Sequence, residues 1–511
     1  MDICSYCLGV FRLEKSDLKN LAQYFPSLAT RCSTSEMMKA KDVVMEQPIE
    51  KRAKLSDSPQ VVTPSHCILC LSLSDKTQIE MMVSNILDQL DTEQYQGLST
   101  YVIAVHAPLS LKVRRMGMEH LMRCINSDTP DSLSEAAISD INLLSQPNQA
   151  ANESTHLKSL SDEYYVKVNL RSRITDLIEE KAPHLEYSVD SPFLITVKLD
   201  HATSDHDCKP VISLALPKLQ CKKPNSKLKT SVSTVIVNDA VSALHAQDYR
   251  NNMFFLTPVT EACSYEIEFS HKPMFVGGRY NKFSRTLSQT PWIIDGHRKS
   301  ESSVEEMICD KMTCLLRADS HKFSSSGRED VDVRMLGNGR PFLVEFLNPR
   351  NLSFNSEDLF KVQQEINEAT VEVQVRLLKH VSKKATDVLR KGDEDKTKHY
   401  SALIWTPKEI APENIEFLSD LKLIEVAQKT PIRVLHRRTL ATRKRTIYRV
   451  TADYVDSHHF TLCLSTQAGT YVKEFVHGDF GRTKPNLRLM MKQDVDILCL
   501  DVLDVELDWP I

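Results

Sequence analysis

The chain has 511 residues, too long for one ordinary domain. Its 41% hydrophobic content can build real cores, yet no apolar run approaches the length that spans a membrane, so a membrane-embedded class is not expected. The formal charge of −4 hides a local excess of cations: Lys429, Arg433, Arg437, Arg438, Arg443, Lys444, Arg445 and Arg449 fall between Gln428 and Val450 with no acidic residue among them, a stretch on which a polyanion could dock.

Thirteen cysteines is an odd number, and several, such as Cys463 and Cys499, stand singly in apolar runs. That pattern suits free thiols in a reducing compartment better than a disulfide framework. The N-terminus lacks a basic start followed by an apolar stretch, so no secretory signal is expected. Two Cys-x-x-Cys knuckles lie in the first block, Cys4 with Cys7 and Cys67 with Cys70. Together they supply four thiolates, the number a closed structural zinc site needs, and the two-residue gap lets both sulfurs of a knuckle face one ion. Their wide separation implies a clamp on the N-terminus rather than a mini-domain; free thiols or a redox pair are the alternatives. His66, beside Cys67, is not taken as a ligand.

Between the knuckles, Pro48-Ile49-Glu50-Lys51-Arg52-Ala53-Lys54-Leu55 is similar to a short nuclear import signal, with a solvated basic loop as the plain alternative. Residues 126–156 are rich in Ser, Asp, Asn, Gln and Pro and predict a long surface loop or disordered insert. Residues 164–168 predict a strand, 174–181 a helix and 193–199 a second strand, together a small α/β module. A lysine-rich loop is expected over 218–229 and another strand over 264–269. A domain boundary is placed near the segment 275–285, giving an accessory domain of residues 1–270 and a second domain of residues 271–511.

The most telling run of the second domain is Gly327-Arg328-Glu329-Asp330-Val331-Asp332-Val333-Arg334. Gly337-Asn338-Gly339 then predicts a hairpin turn, with the return through Phe342, Val344 and Phe346. Asp330 is therefore expected at the mouth of a cleft. Side chains two apart on a strand share a face, so Arg328 and Asp330 can address one target. Alone, Arg-x-Asp reads as a surface ion pair.

Further along, Asn355 or Ser356 can cap a helix in which Leu359, Val362 and Ile366 recur at helical spacing. Residues 370–378, 398–405, 460–465 and 497–507 predict strands, and Gln467 to Val476 passes from strand to helix through Gly469. Many strands and few helices argue for an α+β domain with a mixed, largely antiparallel sheet and a central cleft.

Taken together these segments resemble the pseudouridine synthases. Arg328-Glu329-Asp330 with Val333 is similar to the family's catalytic motif, Lys398-His399-Tyr400-Ser401-Ala402 to the motif of the tyrosine that packs on the target base, and Gly469-Thr470-Tyr471-Val472-Lys473 to the TruB group's motif for a basic partner of the aspartate. The longer strings around them are closer still to the tRNA pseudouridine synthase ten family of archaea and eukaryotes, over about Phe275 to Pro510 and, through the knuckles, to the N-terminus. The resemblance implies a cofactor-free isomerase acting on the TΨC loop of tRNA, with Asp330 as the catalytic aspartate. Arg328, Tyr400, Lys473, Arg433, Arg437 and Arg438 would contact RNA. It also implies a THUMP module in the accessory domain, beside the zinc held by Cys4, Cys7, Cys67 and Cys70.

A monomer working in nucleus and cytoplasm is expected. The resemblance further suggests a second role, an RNA-binding adaptor in microRNA processing that partners primary microRNA and its machinery without catalysis. Asp332 is a less favoured nucleophile. A magnesium site from Glu329, Asp330 and Asp332 is disfavoured by Arg328 and Arg334 beside them. A THUMP-linked methyltransferase is disfavoured because the 13 glycines include no Gly-x-Gly-x-x-Gly that opens a helix.

Overall fold

The computed structural model describes residues 67, 69–127, 162–222, 232–245, 248, 259, 261–391, 396–436 and 438–510. Cys4, Cys7, the import-like run, most of the expected insert at 126–156 and Arg437 lie outside them. The chain divides into two compact units, Met1–Thr92 with Ser99–Ser270, and Glu93–Leu98 with His271–Ile511.

The first unit holds a four-stranded sheet built from β1 (Thr100–His106), β2 (Glu186–Tyr187), β3 (Phe193–Asp200) and β4 (Ser264–His271), in the order β2-β1-β3-β4. β1 runs parallel to both β2 and β3. β3 alternates buried and half-buried residues, so Phe193, Ile195, Val197 and Leu199 form one apolar face.

Two expectations are corrected in this unit. Residues 164–168 are not a strand but part of the helix Asp162–Lys181. The aromatic and β-branched run looked strand-like, but Val166, Leu170, Ile174 and Ile178 recur every four residues and all are buried. That stripe, extending beyond the five residues, decides for helix. Likewise Lys218 to Lys222 continue the helix Ser204–Lys222 instead of opening a loop.

The second unit is organised on one large sheet. Its strands are β5 (Met274–Lys282), β8 (Ser320–Ser325), β9 (Arg334–Leu347), β10 (Val373–Val381), β11 (Thr397–Trp405), β12 (Lys422–Lys429), β13 (Thr442–Asp456), β14 (His459–Gln467), β15 (Thr483–Lys484) and β16 (Asp496–Val505); β6 (Ile293–Ile294) and β7 (His297–Arg298) form a separate ribbon. The order is β10-β5-β9-β16-β11-β14-β13-β12-β15, with β8 also on β9. β9 and β16 pair parallel through Arg334–Met335 and Asp501–Val502, while β5, β8, β10, β11, β12, β13 and β14 make antiparallel pairings. The sheet is thus mixed and largely antiparallel. The helices Val304–Leu316 and Ser356–Ala369 bury Ile308, Met312, Leu359, Val362 and Ile366 in the same core as Val276, Phe342, Val344 and Phe346. Each such side chain contributes roughly 1.5–3 kcal/mol when fully buried. Asn355 caps the second helix in a capping box with Asp358.

The hairpin expected at Gly337-Asn338-Gly339 is absent, because β9 continues through it. On β5 the pairing passes from Tyr280 to Lys282, while on β9 it passes from Arg340 to Met335, so the extra β9 residues bulge outward. A Cβ at Gly337 would lie 1.9 Å from the Leu503 carbonyl oxygen, and one at Gly339 2.8 Å from that of Tyr280. The glycines serve a close backbone passage inside one strand, not a chain reversal.

Candidate active site

The segment joining β8 to β9 carries the aspartate motif. It is a loop and turn rather than a strand, closed by the Val333 N–H donating to the Asp330 carbonyl at 3.1 Å. The strand-face argument for Arg328 and Asp330 therefore does not hold, although both line the same cavity. Gly327 begins the loop at φ +83, and a Cβ there would lie 2.5 Å from Lys398 Nζ.

A buried network beneath the loop fixes its direction. Glu329 turns inward and accepts from Tyr280 Oη at 2.8 Å and from Arg340 Nε at 2.7 Å. Arg340 Nη1 donates to the Ser326 carbonyl at 2.8 Å, and Gln289 Nε2 donates to Tyr280 Oη at 2.6 Å. Burial works against the Arg340 charge, but the Glu329 carboxylate outweighs it and holds the guanidinium above its ordinary pKa. Burial, reinforced by the Glu329 charge, pushes the Tyr280 hydroxyl well above 10.

Lys282, fully buried at the end of β5, donates from Nζ to three carbonyls, Val331 at 2.7 Å, Leu287 at 2.8 Å and Asp330 at 3.2 Å. Burial pushes its pKa down to about 8, against the pull of Glu329 and Asp332. With Glu329 anchored below and the backbone held by Lys282, the Asp330 side chain is left facing a cavity of about 310 Å³.

Two cations meet Asp330 there. Arg433 Nη1 donates to Oδ2 at 2.8 Å, and Lys473 Nζ stands 3.5 Å from the same oxygen. Each cation is also held by a second carboxylate. Arg433 Nε donates to Glu474 Oε1 at 2.7 Å, and Lys473 Nζ donates to Asp332 Oδ2 at 2.7 Å and Oδ1 at 2.9 Å. The Glu474 side chain is 2% exposed. Burial opposes the Arg433 charge, yet the bond to Glu474 raises its pKa; burial opposes the Asp332 charge, yet the bond from Lys473 lowers its pKa.

Tyr400, on β11, and Leu500 and Val502, on β16, line the cavity too. Burial pushes the Tyr400 hydroxyl up to about 12, so its ring stays neutral at physiological pH. Thr470 and Tyr471 bring the chain from β14 into the helix Val472–His477, whose first turn carries Lys473 and Glu474. Gln428 ties this wall to β12 through a bond from Nε2 to the Tyr471 carbonyl at 2.9 Å and one from the Tyr471 N–H to Oε1 at 2.9 Å.

Of the residues singled out from sequence, Arg328, Asp330, Tyr400, Arg433, Arg438 and Lys473 therefore converge on one cavity. Arg433 differs from expectation: its guanidinium is engaged by Asp330 and Glu474, closer to the aspartate than Lys473 is. Sequence reasoning missed Lys282, Arg340 and Glu474 and the anchoring role of Glu329. The adjacency of Glu474 to Lys473 was the only signal for it. Cys67 and Cys70 are buried in the first unit. Among the described residues, no group of three or more His, Cys, Asp or Glu side chains is placed to hold a metal ion.

Comparison with known proteins gives the family of the chain. Residues 275–506 match the family model described as Pus10, C-terminal. The tRNA pseudouridine synthase Pus10 of Mus musculus is 49% identical over 322 residues, covering 63% of this chain and 60% of the mouse protein. That of Xenopus laevis is 39% identical over 446 residues, 87% of this chain and 81% of the frog protein. A Drosophila melanogaster relative is 30% identical over 525 residues, 99% of this chain and 95% of its own. Among solved structures, a Cbf5-Nop10-Gar1 complex aligns at 16% identity over 45% of this chain and 48% of its own, with a TM-score of 0.26, too loose a fit to carry any weight.

These relatives set the chain among the pseudouridine synthases. Within that class it belongs to the Pus10 family. The match spans about 60% of the length of the mouse and human relatives.

Proposed function

We propose that the chain is an RNA pseudouridine synthase that isomerises uridine in the TΨC loop of tRNA, with Asp330 as the catalytic aspartate. The observation that carries this reading is Asp330 between Arg433 at 2.8 Å and Lys473 at 3.5 Å, in a cavity whose wall includes Tyr400. Relatives named tRNA pseudouridine synthase Pus10 support tRNA as the substrate.

The reaction breaks the bond from uracil N1 to the ribose, turns the base, and rejoins it through carbon. It needs an ionised nucleophile or base at the sugar or ring and no redox cofactor. Arg433 and Lys473 put positive charge beside the carboxylate that would act. Tyr400 offers a neutral ring face to the uracil, and stacking of this kind accepts any base. A target paired or stacked in folded RNA must first be extruded, at a cost of a few kcal/mol. Arg328 and Arg438, on the cavity wall, suit the flanking phosphates, and the basic strand β13 suits the backbone beyond them. Mapping pseudouridine in cellular RNA with and without this protein tests the reading: loss of T-loop sites upholds it, and an unchanged map refutes it.

The accessory unit would carry the THUMP module and grip the acceptor end of the tRNA. The zinc proposal rests on Cys67 and Cys70, both buried, with the chain after them turning through Leu71 and Ser72 at φ 51 and 64. With Cys4 and Cys7 they would complete a tetrahedral thiolate set whose role is structural. Undiminished zinc in purified Cys67→Ser protein would remove Cys67 from that set. The import-like run at residues 48–55 supports a protein shared between nucleus and cytoplasm, and we take it to act as a monomer. The names of the relatives lend the microRNA adaptor reading no support.

A further inference from the structure

Downstream of the helix that carries Lys473 and Glu474, the backbone does something L-residues avoid. Gly478, Asp479, Phe480 and Gly481 take φ values of 83, 45, 54 and 82 in succession. Left-handed conformations are routine for glycine but unfavourable for residues with a Cβ, above all bulky ones. At the tip of this turn Phe480 is 92% exposed, so an apolar ring is held in water on an unfavourable backbone.

The surroundings over-determine the turn. Gly478 N–H donates to the Glu474 carbonyl at 2.9 Å, Gly481 N–H to the Gly478 carbonyl at 2.9 Å, and Arg482 N–H to the Asp479 carbonyl at 3.0 Å. Asp479 is buried, its N–H donating to His477 Nδ1 at 3.1 Å and its carboxylate 3.3 Å from Arg482 Nε. Strain that is held this firmly marks functional positions.

The turn is also tied to the rim of the cavity. Arg482 Nη2 donates to the Thr430 carbonyl at 2.7 Å, and Lys429 N–H donates to the Arg482 carbonyl at 3.1 Å. Thr430 and Pro431 lead directly into the turn that bears Arg433. Lys429 and Lys484 are exposed on the adjoining strands. An exposed aromatic ring on a turn whose adjoining strands carry exposed cations is the combination that single-stranded nucleic-acid sites use, where the ring takes a base and the cations take its phosphates.

We propose that Phe480 is a stacking platform for an unpaired base of the RNA substrate, outside the cavity that receives the target uridine. This rests on the reading of the chain as an RNA-modifying enzyme. Its exposed π-face accepts any base, so it would add affinity and register without sequence preference.

The test measures binding of an unmodified tRNA transcript to wild-type protein and to Phe480→Ala, Phe480→Leu and Phe480→Trp across a salt series. Phe480→Ala is expected to weaken binding by about 10- to 100-fold. Phe480→Trp should restore the affinity, and Phe480→Leu should not. The salt slope should stay unchanged in all three, because no phosphate contact is removed. Phe480→Gly relieves the backbone and should raise the thermal midpoint while weakening RNA binding, which separates loss of contact from loss of fold.

Wild-type affinity in Phe480→Ala or in Phe480→Leu overturns the proposal while leaving the synthase reading intact, provided wild-type protein modifies the transcript. Wild-type protein that neither binds nor modifies the transcript overturns both. A change in sedimentation on Phe480→Ala, with RNA affinity kept, would assign the ring to a contact between copies and overturn it as well.

Discussion

The guanidinium of Arg433 donates to Oδ2 of Asp330 at 2.8 Å. The same group holds Glu474 through Nε, so its position is set from both sides. Lys473 stands 3.5 Å from Asp330 and spends its closer bonds on Asp332. The aspartate is thus served by one direct and one more distant cation.

Removing the nearer cation should hurt more. Arg433→Ala is expected to lower kcat about 100-fold and Lys473→Ala about tenfold, since both place positive charge beside the aspartate but at different distances. Single-turnover rates on a tRNA transcript check the ranking, and equal losses would refute it.

Glu474 should act through Arg433 alone. Glu474→Gln keeps an acceptor and should retain most activity, whereas Glu474→Ala frees the guanidinium and should lower kcat about tenfold with KM little changed. A loss confined to KM would contradict this positioning role.

Lys282 gives a pH dependence. Its ammonium offers three protons to three carbonyls, and the neutral amine offers only two, so the rate should fall as pH rises through about 8. Because folding depresses this pKa below its unfolded value, the folded chain binds fewer protons here than the unfolded one above that pH. Stability linked to this group therefore rises with pH over the same window. A rate that falls above about pH 8 while the thermal midpoint rises is the expected result; a parallel fall in both would assign the loss to unfolding.

The pair Glu329–Arg340 is buried, with side chains 0% and 2% exposed. Glu329→Ala leaves an uncompensated guanidinium and should destabilise by about 3–5 kcal/mol. Breaking the exposed pair Glu425–Lys444 should change stability far less, because solvent screens it. Denaturant midpoints of the two variants, measured side by side, distinguish these.

The sequence made some of this plain and hid the rest for physical reasons. The helix Ser356–Ala369 was readable because its cap and its apolar spacing agree. That Asp330, Tyr400 and Lys473 share one cavity was readable because short motifs carry them. Gly337-Asn338-Gly339 misled because hairpins and bulges ask for the same backbone freedom, and only Leu503, far along the chain, decides between them. Residues 164–168 misled because five residues are too few to separate strand from helix. Glu474 was hidden because its partner Arg433 lies 41 positions away, and no local pattern reports a buried ion pair of that span. Lys282 was hidden for the same reason, since its bonds go to backbone carbonyls 48 and 49 positions on.

The most direct measurement is pseudouridine formation in a tRNA transcript by Asp330→Ala protein, with RNA binding measured in the same preparation. Unimpaired binding with modification abolished is the predicted outcome. Modification at the wild-type rate with binding intact would contradict the role given to Asp330.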